Sequence, residues 1–463
     1  MVFNVKSLKN KRLHFIGIGG ISMSALAQML LKENIYVQGS DESVNNEILK
    51  LKNKGIKIFK GHDGKNLKNI DAVVYSSAIA EDNIELVFAR NNRLLIIKRA
   101  ELLAAVASEY KTIISVAGSH GKTTATAMIA EMFLRNNLNP TVHIGGVLKS
   151  INSNYNIGSK DYFITESCEY KDNFLYMHPD LSVILNIDAD HLDYFGDIDG
   201  VKRSFKKFAN GTRNGGICLV CKDDENSKGL LKSANSVKFG LKNGDIIAKN
   251  IKEYAIGMFS FDVIFKKLNL GNVKLNIFGK HNIYNALAAV FVGLLCGIDF
   301  CDIKNSIESF SGTERRTEFI CEKGGVRYFH DYAHHPRQIA QMVNIGKTLA
   351  NENAGNLIVV YEPHTYSRTK YLINDFVISF EGVDKLYFAP VYSARENKEQ
   401  GFSSDVLCEE CKKLGICAEL LNDYVEIKNK IFEYAKSGDI VFILGAGSVE
   451  YLAKMIKNDN IDM

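Results

Sequence analysis

The stretch Thr112-Ile-Ile-Ser-Val-Ala-Gly-Ser-His-Gly-Lys-Thr-Thr124 decides the reading of this chain. An apolar run with the character of a buried strand feeds a glycine-rich turn, and a helical run follows it. In that setting the backbone N–H groups of Gly118, Ser119, His120, Gly121 and Lys122 face inward and cradle nucleotide phosphates at a helix N-terminus. Lys122 supplies a point charge to the terminal phosphates, and the hydroxyl of Thr123, followed by Thr124, offers a ligand to Mg²⁺. The general phosphate loop begins with a glycine where this chain has Val116, so the match is a shortened variant. The alternative, a glycine turn carrying a surface lysine, leaves the coincidence of strand, Gly-Lys-Thr-Thr and helix unexplained.

Length and composition bound what surrounds the loop. At 463 residues, and roughly 150 per domain, about three domains are expected. With 57 Lys+Arg against 53 Asp+Glu the net charge is +4, which lacks the concentrated basic field of a nucleic-acid binder. The N-terminus carries no signal-type apolar core, and no apolar run reaches the ~18 residues of a membrane span. A cytoplasmic location is therefore expected. Nine cysteines, an odd number, point to reduced thiols rather than a disulfide framework. Two Cys-x-x-Cys pairs occur, Cys218/Cys221 in an apolar strand and Cys408/Cys411 in a helix. Neither has the four converging ligands that zinc requires.

The first segment reads as a Rossmann-like opening. Leu13-His-Phe-Ile leads into Gly17, Gly19, Gly20, Ser22 and Met23, then a helix through Leu31 and a strand from Ile35. The glycines let the backbone approach a diphosphate, and Asp41, just past the second strand, is placed to bond a ribose hydroxyl. Ser22 stands at the third glycine position, so a nucleotide diphosphate fits as well as NAD does. Ser76 and Ser77 end a further apolar strand at the carboxyl edge of the sheet, where they either meet ligand or cap a helix.

In the middle segment a polar stretch from Ser150 to Ser159 reads as flexible, and Glu166 and Glu169 close the next strand. Another strand runs into Asp188, Asp190, His191 and Asp193. Three acids and a histidine at one strand end form a costly like-charged cluster, which a cation relieves. Gly279-Lys280-His281-Asn282 opens a small-residue helix and suits either an adenine edge or a helix cap. A domain boundary is expected near Ser311, followed by Arg315 and Arg316, whose guanidinium groups suit phosphoryl-transfer charge. The last segment alternates strands and helices, which argues a second doubly wound parallel sheet. Asp331-Tyr332-Ala-His334-His335 and Glu362-Pro363-His364-Thr365-Tyr366-Ser367-Arg368 decorate its strand ends.

Taken in order, these motifs resemble the Mur ligases of bacterial cell-wall synthesis, and within them the L-alanine-adding branch. The resemblance runs from Arg12 to Glu450. It implies an α/β chain of three domains: a Rossmann-like UDP-binding domain at 1–108, a central phosphate-loop ATPase domain with a mainly parallel sheet at 109–311, and a Rossmann-like domain at 312–463 that closes on them. Implied cofactors are ATP and Mg²⁺. Implied partners are UDP-N-acetylmuramate and L-alanine, with no nucleic acid, no membrane span, and a monomer or weak homodimer. Position by position, Lys122 resembles the phosphate-loop lysine, Thr123 the metal-binding hydroxyl, Glu169 the metal-bridging acid and His191 the ligand of a second Mg²⁺. His281 and Asn285 resemble the adenine-side pair, Arg316 the arginine for the γ-phosphate, and Asp331 the acid for the ATP ribose. Tyr332, His334, His364 and Arg368 resemble the wall around the amino acid. Two departures stand out: Thr365 replaces an arginine of some members, and Lys206 lies near the interval where related ligases carry a carbamylated lysine.

The implied chemistry passes the γ-phosphoryl of ATP to the lactyl carboxylate, and the amine of L-alanine then attacks the acyl phosphate. A recycling ligase that adds a preformed peptide shares these motifs. An NAD-dependent oxidoreductase would leave the phosphate loop idle, and a nucleotide switch would leave the crevice residues idle. Calorimetric titration separates the first two classes: the chain is expected to bind UDP-N-acetylmuramate without ATP. Tight NAD binding with none of the UDP-sugar would overturn that expectation.

Overall fold

The computed structural model describes residues 4–42, 45–230, 235–255, 257–394, 396 and 403–459, with the Asp193 side chain outside that description. Three sheets organise it. The first joins β1 (Arg12–Ile16), β2 (Tyr36–Asp41), β3 (Lys57–Lys60), β4 (Ala72–Tyr75) and β5 (Leu95–Lys98) in the order β3-β2-β1-β4-β5, all parallel. Its helices are α1 (Ile21–Lys32), α2 (Asn46–Asn53), α3 (Ile84–Asn91) and α4 (Arg99–Ala107). The strand order reverses between β1 and β4, and the crevice such a switch point opens lies at their carboxyl ends. The glycine turn after β1 and Ser76 after β4 stand there.

A buried carboxylate ties this layer together. Glu85, on α3, accepts hydrogen bonds from Asn66 Nδ2 at 2.7 Å and Ser40 Oγ at 2.5 Å. His62 Nδ1 lies 3.0 Å from it and His14 Nε2 3.4 Å. Burial pushes this carboxyl up, but the hydrogen bonds of His14, His62 and Ser40 outweigh burial and hold it well below the usual carboxylate range. The bond to Glu85 in turn raises His62, against the opposing effect of burial.

The second sheet holds ten strands: β6 (Thr112–Ala117), β7 (Thr141–Leu148), β8 (Ser153–Asn156), β9 (Tyr162–Glu166), β10 (Leu181–Ile184), β11 (Ile217–Cys221), β12 (Ser236–Gly240), β13 (Ile246–Ala255), β14 (Met258–Phe265) and β15 (Leu268–Lys274). Their order is β15-β14-β13-β12-β11-β10-β6-β9-β7-β8. From β7 through β9, β6, β10, β11 and β12 to β13 the pairing is parallel. Antiparallel pairs, β7 with β8 and β14 with β15, stand at the two ends. The helices are α5 (Lys122–Arg135), α6 (Leu192–Phe195), α7 (Ile198–Asn210), α8 (Asn282–Leu295) and α9 (Phe300–Glu308). The stretch 150–159, read as flexible, instead supplies the edge strand β8. There Asn154 Nδ2 donates to Ile144 O at 3.3 Å and to Ile21 O of α1 at 3.1 Å, fastening the first two sheets' layers to each other.

The third sheet runs β16 (Glu318–Lys323), β17 (Val326–Asp331), β18 (Leu357–Tyr361), β19 (Lys385–Phe388), β20 (Ala418–Leu420) and β21 (Ile440–Leu444) in the order β16-β17-β21-β18-β19-β20. Only the β16–β17 pair is antiparallel among the pairings described. The doubly wound expectation holds, with an antiparallel edge added. Helices α10 (Pro336–Glu352), α11 (Tyr366–Tyr371), α12 (Ile373–Ser379), α13 (Ser404–Lys413), α14 (Tyr424–Tyr434) and α15 (Glu450–Asn458) complete it. Fully buried strands such as Leu357–Tyr361 and Ile440–Leu444 read as continuous apolar runs because helices cover both faces.

Two compact units result. One comprises Met1–Lys252, Ser260–Leu275 and His281–Ser311, and so contains the first sheet and most of the second; the other comprises Glu253–Phe259, Asn276–Lys280 and Gly312–Met463. All nine cysteines are free thiols. No helix among the described residues is long and apolar enough to cross a membrane.

The Glu85 network makes the first layer sensitive to pH with a definite sign. His62 has a raised folded-state pKa, so its contribution is complete below its unfolded value near ~6.5 and is lost as pH rises through the raised value. The thermal stability difference between wild type and His62→Ala is expected to be largest on the acid side and to shrink as pH rises. A difference that grows with pH would remove the network from the account.

Candidate functional site

The phosphate loop lies between β6 and α5, and register brings its partners to the same level. Ala117 pairs with Ile184 of β10, and Val116 with Glu166 of β9. The carboxyl ends of three adjacent parallel strands therefore carry the loop, the acids after β9 and the cluster after β10. Gly118 and Gly121 take φ of 144° and 81°. A Cβ at Gly121 would also stand 2.7 Å from Asn285 Oδ1.

The loop's donors are shared out differently from the expectation. Ser119 N–H donates to Asn186 O at 3.2 Å and His120 N–H to Asn186 Oδ1 at 2.8 Å, while Asn186 Nδ2 returns a bond to His120 O at 3.0 Å. Ser119 Oγ accepts from Asp188 N–H at 2.8 Å, and His120 Nε2 lies 3.0 Å from Asp188 Oδ2. Ser119 and His120 thus brace the loop against the residues after β10. The N–H groups of the first turn of α5, Lys122 to Thr124, have no carbonyl one turn earlier within the helix.

Lys122 Nζ sits 3.0 Å and 3.2 Å from the two oxygens of Glu169. Burial works to discharge this lysine, but Glu169, with Cys168 and Glu166, overcomes burial and raises its pKa. Glu169 also belongs to a second group: ligand atoms of Glu169, Asp190 and His191 all lie within 4.8 Å of one another. His191 adopts φ 55° and ψ 38° at the start of α6, a conformation that costs a non-glycine residue energy. Its ring packs 4.6 Å from that of Tyr170. Two carboxylates and an imidazole suit a hard divalent ion completed by water and phosphate oxygens, so the residues present fit Mg²⁺.

Of the expected metal ligands, Glu169 and His191 converge, and Thr123 Oγ1 donates to Glu166 Oε2 at 2.8 Å. Asp190 takes the third place, a role that the Asp-Ala-Asp-His run left undivided among its acids. Asp188 is turned to His120 instead. Lys206 lies on the exposed side of α7, the solvated-face alternative. At the start of α8, Asn285 Nδ2 donates to Asn282 Oδ1 at 2.8 Å. Burial, aided by the charge of His120, pushes His281 down to about 4, so its imidazole is neutral at pH 7.

In the first layer the glycine turn is buckled by its own acid. Gly19 N–H donates to Asp41 Oδ2 at 2.9 Å, and a Cβ at Gly19 would meet that oxygen at 2.9 Å. Asp41 therefore shapes the turn. Gly20 precedes α1, Met23 is buried, and Gly17 takes φ 73°. Ser22 Oγ lies 2.9 Å from His143 Nε2 and accepts from Arg99 Nη1 at 3.1 Å. Ser76 Oγ accepts from Ala78 N–H at 3.3 Å within a turn, Asn83 rather than either serine caps α3, and Ser77 is exposed. Arg99 and His143 escaped the sequence reading; the available signal was an arginine immediately after β5, at the carboxyl edge of a parallel sheet.

In the second unit Asp331 accepts N–H bonds from Thr317 at 2.6 Å and Ala333 at 2.7 Å. Burial raises its pKa against the opposing charge of Arg316. Arg315 and Arg316 lie 4.8 Å and 5.1 Å over the Tyr332 ring. His334 and His364 approach to 5.7 Å between ring centroids. Arg368 lowers the burial-raised pKa of Tyr361, and Thr365 holds φ 67° at the start of α11. Glu362 is spent inside the fold, accepting from Tyr424 Oη at 2.6 Å, Ser448 Oγ at 2.7 Å and Val449 N–H at 3.1 Å.

Fold and site together define a nucleotide-binding α/β protein with a phosphate loop, an adjoining cluster of two carboxylates and an imidazole, and doubly wound sheets. Comparison with known proteins agrees. Residues 12–111 match the model of the Mur ligase family catalytic domain, residues 116–293 the Mur ligase middle domain and residues 315–447 the Mur ligase glutamate ligase domain. The chain belongs to the Mur ligase family. A UDP-N-acetylmuramate L-alanine ligase of Clostridium botulinum is 41% identical over 99% of this chain and 100% of its own length. Another of that name, from Clostridium acetobutylicum, is 43% identical over 98% of this chain and 99% of its own. The crystal structure of the UDP-N-acetylmuramate-alanine ligase of Thermotoga maritima superposes with a TM-score of 0.82 at 26% identity, covering 96% of this chain and 97% of that one.

Gly121→Ala tests the loop. It adds both left-handed strain and a clash with Asn285, costs of about 1–3 kcal/mol. Titration with a fluorescent ATP analogue is expected to show about tenfold or weaker binding, with UDP-sugar affinity unchanged.

Proposed function

We propose that this Mur ligase joins L-alanine to the lactyl carboxylate of UDP-N-acetylmuramate at the expense of ATP, releasing ADP and phosphate. The observation that carries the reading is the convergence of Lys122, Glu169, Asp190 and His191 at the ends of β6, β9 and β10. The full-length relatives at 41% and 43% identity favour this acceptor and amino acid over the peptide-adding alternative. The three domains, 1–108, 109–311 and 312–463, are retained as its proposed functional divisions.

The chemistry follows from what each residue holds. ATP is seated with its phosphates on Gly121 and the first turn of α5, where N–H groups and the helix dipole favour negative charge. Lys122 leaves its pairing with Glu169 for the β and γ phosphates, so its positive charge meets the oxygens on which charge develops. A Mg²⁺ ion held by Glu169, Asp190 and His191 supplies, when bound, further neutralisation of phosphate oxygens. The lactyl carboxylate oxygen attacks the γ-phosphorus, the bond to the β-phosphate oxygen breaks, and an acyl phosphate and ADP result. The alanine amine then attacks the acyl carbon, loses a proton, and expels phosphate to leave the amide. No protein nucleophile is needed; the residues position groups, balance charge and exclude water.

His281 and Asn285 are assigned to the adenine side, with His281 neutral and able to hydrogen-bond a base without repelling a cation. Arg316 and Asp331 are assigned to the γ-phosphate and ribose, and Tyr332, His334, His364 and Arg368 to the amino acid.

A phosphate-release assay with UDP-N-acetylmuramate and a panel of amino acids tests the reading directly. Lys122→Ala is expected to lower turnover by about a thousandfold or more. His191→Ala should raise the Mg²⁺ concentration needed for half-maximal rate, and Glu169→Gln should act more severely because it removes a full charge. UDP-sugar affinity should survive in all three. Unchanged Mg²⁺ dependence in His191→Ala would reduce the cluster to a structural turn.

A further inference from the structure

A cavity of about 200 Å³ lies between the start of α1, the start of α4 and strands β7 and β9, with Ser22, Arg99, His143 and Glu166 among its lining. Arg99 is the first residue of α4, and its guanidinium is largely desolvated, which depresses its pKa despite the nearby Cys168 and Glu166. Its side-chain hydrogen bond goes to the neutral hydroxyl of Ser22, and among the described residues it enters no ion pair. His143 brings no charge to the cavity: burial, together with the Arg99 charge, pushes it down to about 3. Its Nδ1 lies 3.3 Å from Thr165 Oγ1 and its Nε2 meets Ser22, so the imidazole is fixed in place.

Arg99 is half-buried, its hydrogen bond goes to a neutral hydroxyl and Glu166 acts on it from across the cavity, so a partly desolvated cation there gains from an anion that it can hydrogen-bond directly. The planar fork of arginine matches a carboxylate through two parallel hydrogen bonds. The remaining walls include Ile21, Leu103, Phe174 and Met177, which are apolar and suit a small alkyl group beside that anion. The volume falls below the ~300 Å³ at which ligand pockets usually begin, so it takes a short branch of a larger ligand and not a nucleotide. Glu166 lines the cavity and also receives the Thr123 hydroxyl at 2.8 Å, which places the cavity one side chain from the phosphate loop.

We propose that Arg99, oriented by Ser22 and His143, binds the carboxylate of the acceptor's lactyl branch, with the branch methyl against the apolar wall. This rests on the ligase reading above and adds to it the group that presents the carboxylate for phosphorylation. The fork would hold both carboxylate oxygens, each of which keeps a further lone pair, so one of them can still attack the γ-phosphorus.

The test is calorimetric titration of the full chain, without ATP, with UDP-N-acetylmuramate and with UDP-N-acetylglucosamine, which carries the same diphosphate but no lactyl branch. Arg99→Met is expected to weaken the first by about ten- to a hundredfold and to leave the second within about twofold. Arg99→Lys keeps the buried charge without the fork and should fall between, which guards against a Met variant that does not fold. Equal weakening for both sugars would assign Arg99 to the diphosphate or to structure, and wild-type affinities in both variants would leave it no role; either overturns the inference alone. If the wild-type chain binds neither sugar, the ligase reading falls with it.

Discussion

The ion pair between Lys122 and Glu169 is the constraint around which the catalytic layer is arranged. Two opposite charges are held together out of water, and breaking such a pair by removing one partner costs about 3–5 kcal/mol. The arrangement demands that β6 and β9 be adjacent and in register, because Lys122 follows one strand and Glu169 the other. It also demands that the loop between β6 and α5 be short and rigid. Asn186 and Asp188 meet that demand by occupying the side chains and N–H groups of Ser119 and His120.

The same economy recurs where acids are buried at strand ends. Asp41 closes on the Gly19 N–H, Asp331 on the N–H groups of Thr317 and Ala333, and Glu362 on Tyr424, Ser448 and Val449. Each carboxylate gathers backbone or hydroxyl donors that would otherwise be left unsatisfied, which is how an ionised group is tolerated in a largely apolar surround. The crevice residues of this chain therefore fall into two physical kinds: acids that shape loops, and cations such as Lys122 and Arg99 whose donors reach toward the space between those loops. The two cations differ: Lys122 meets Gly118 O, Ser119 O and both oxygens of Glu169, while Arg99 donates to the neutral Ser22 hydroxyl.

Each compact unit holds a site residue in a backbone conformation that costs energy. His191 in a left-handed conformation and Thr365 at positive φ are both poor choices for local stability. At His191 the return is visible, since the bend brings the imidazole toward Glu169 and Asp190.

By itself the sequence determined the three sheets' character and the location of the phosphate loop, because apolar runs, glycine positions and the Gly-Lys-Thr-Thr signature are local properties of consecutive residues. It also placed Glu169, His191, His281 and Asp331 at element ends. The tertiary structure alone decided which neighbours those residues keep. The preference of Thr123 for Glu166, the approach of Asp190 to Glu169, the closure of Asp41 on Gly19, and the meeting of Ser22 with Arg99 and His143 each join residues separated by many positions in the chain. Strand order and register set those meetings. The polar stretch that forms β8 shows the same limit in reverse: an edge strand takes its stability from the neighbour it pairs with, and no property of residues 153–156 alone specifies that neighbour.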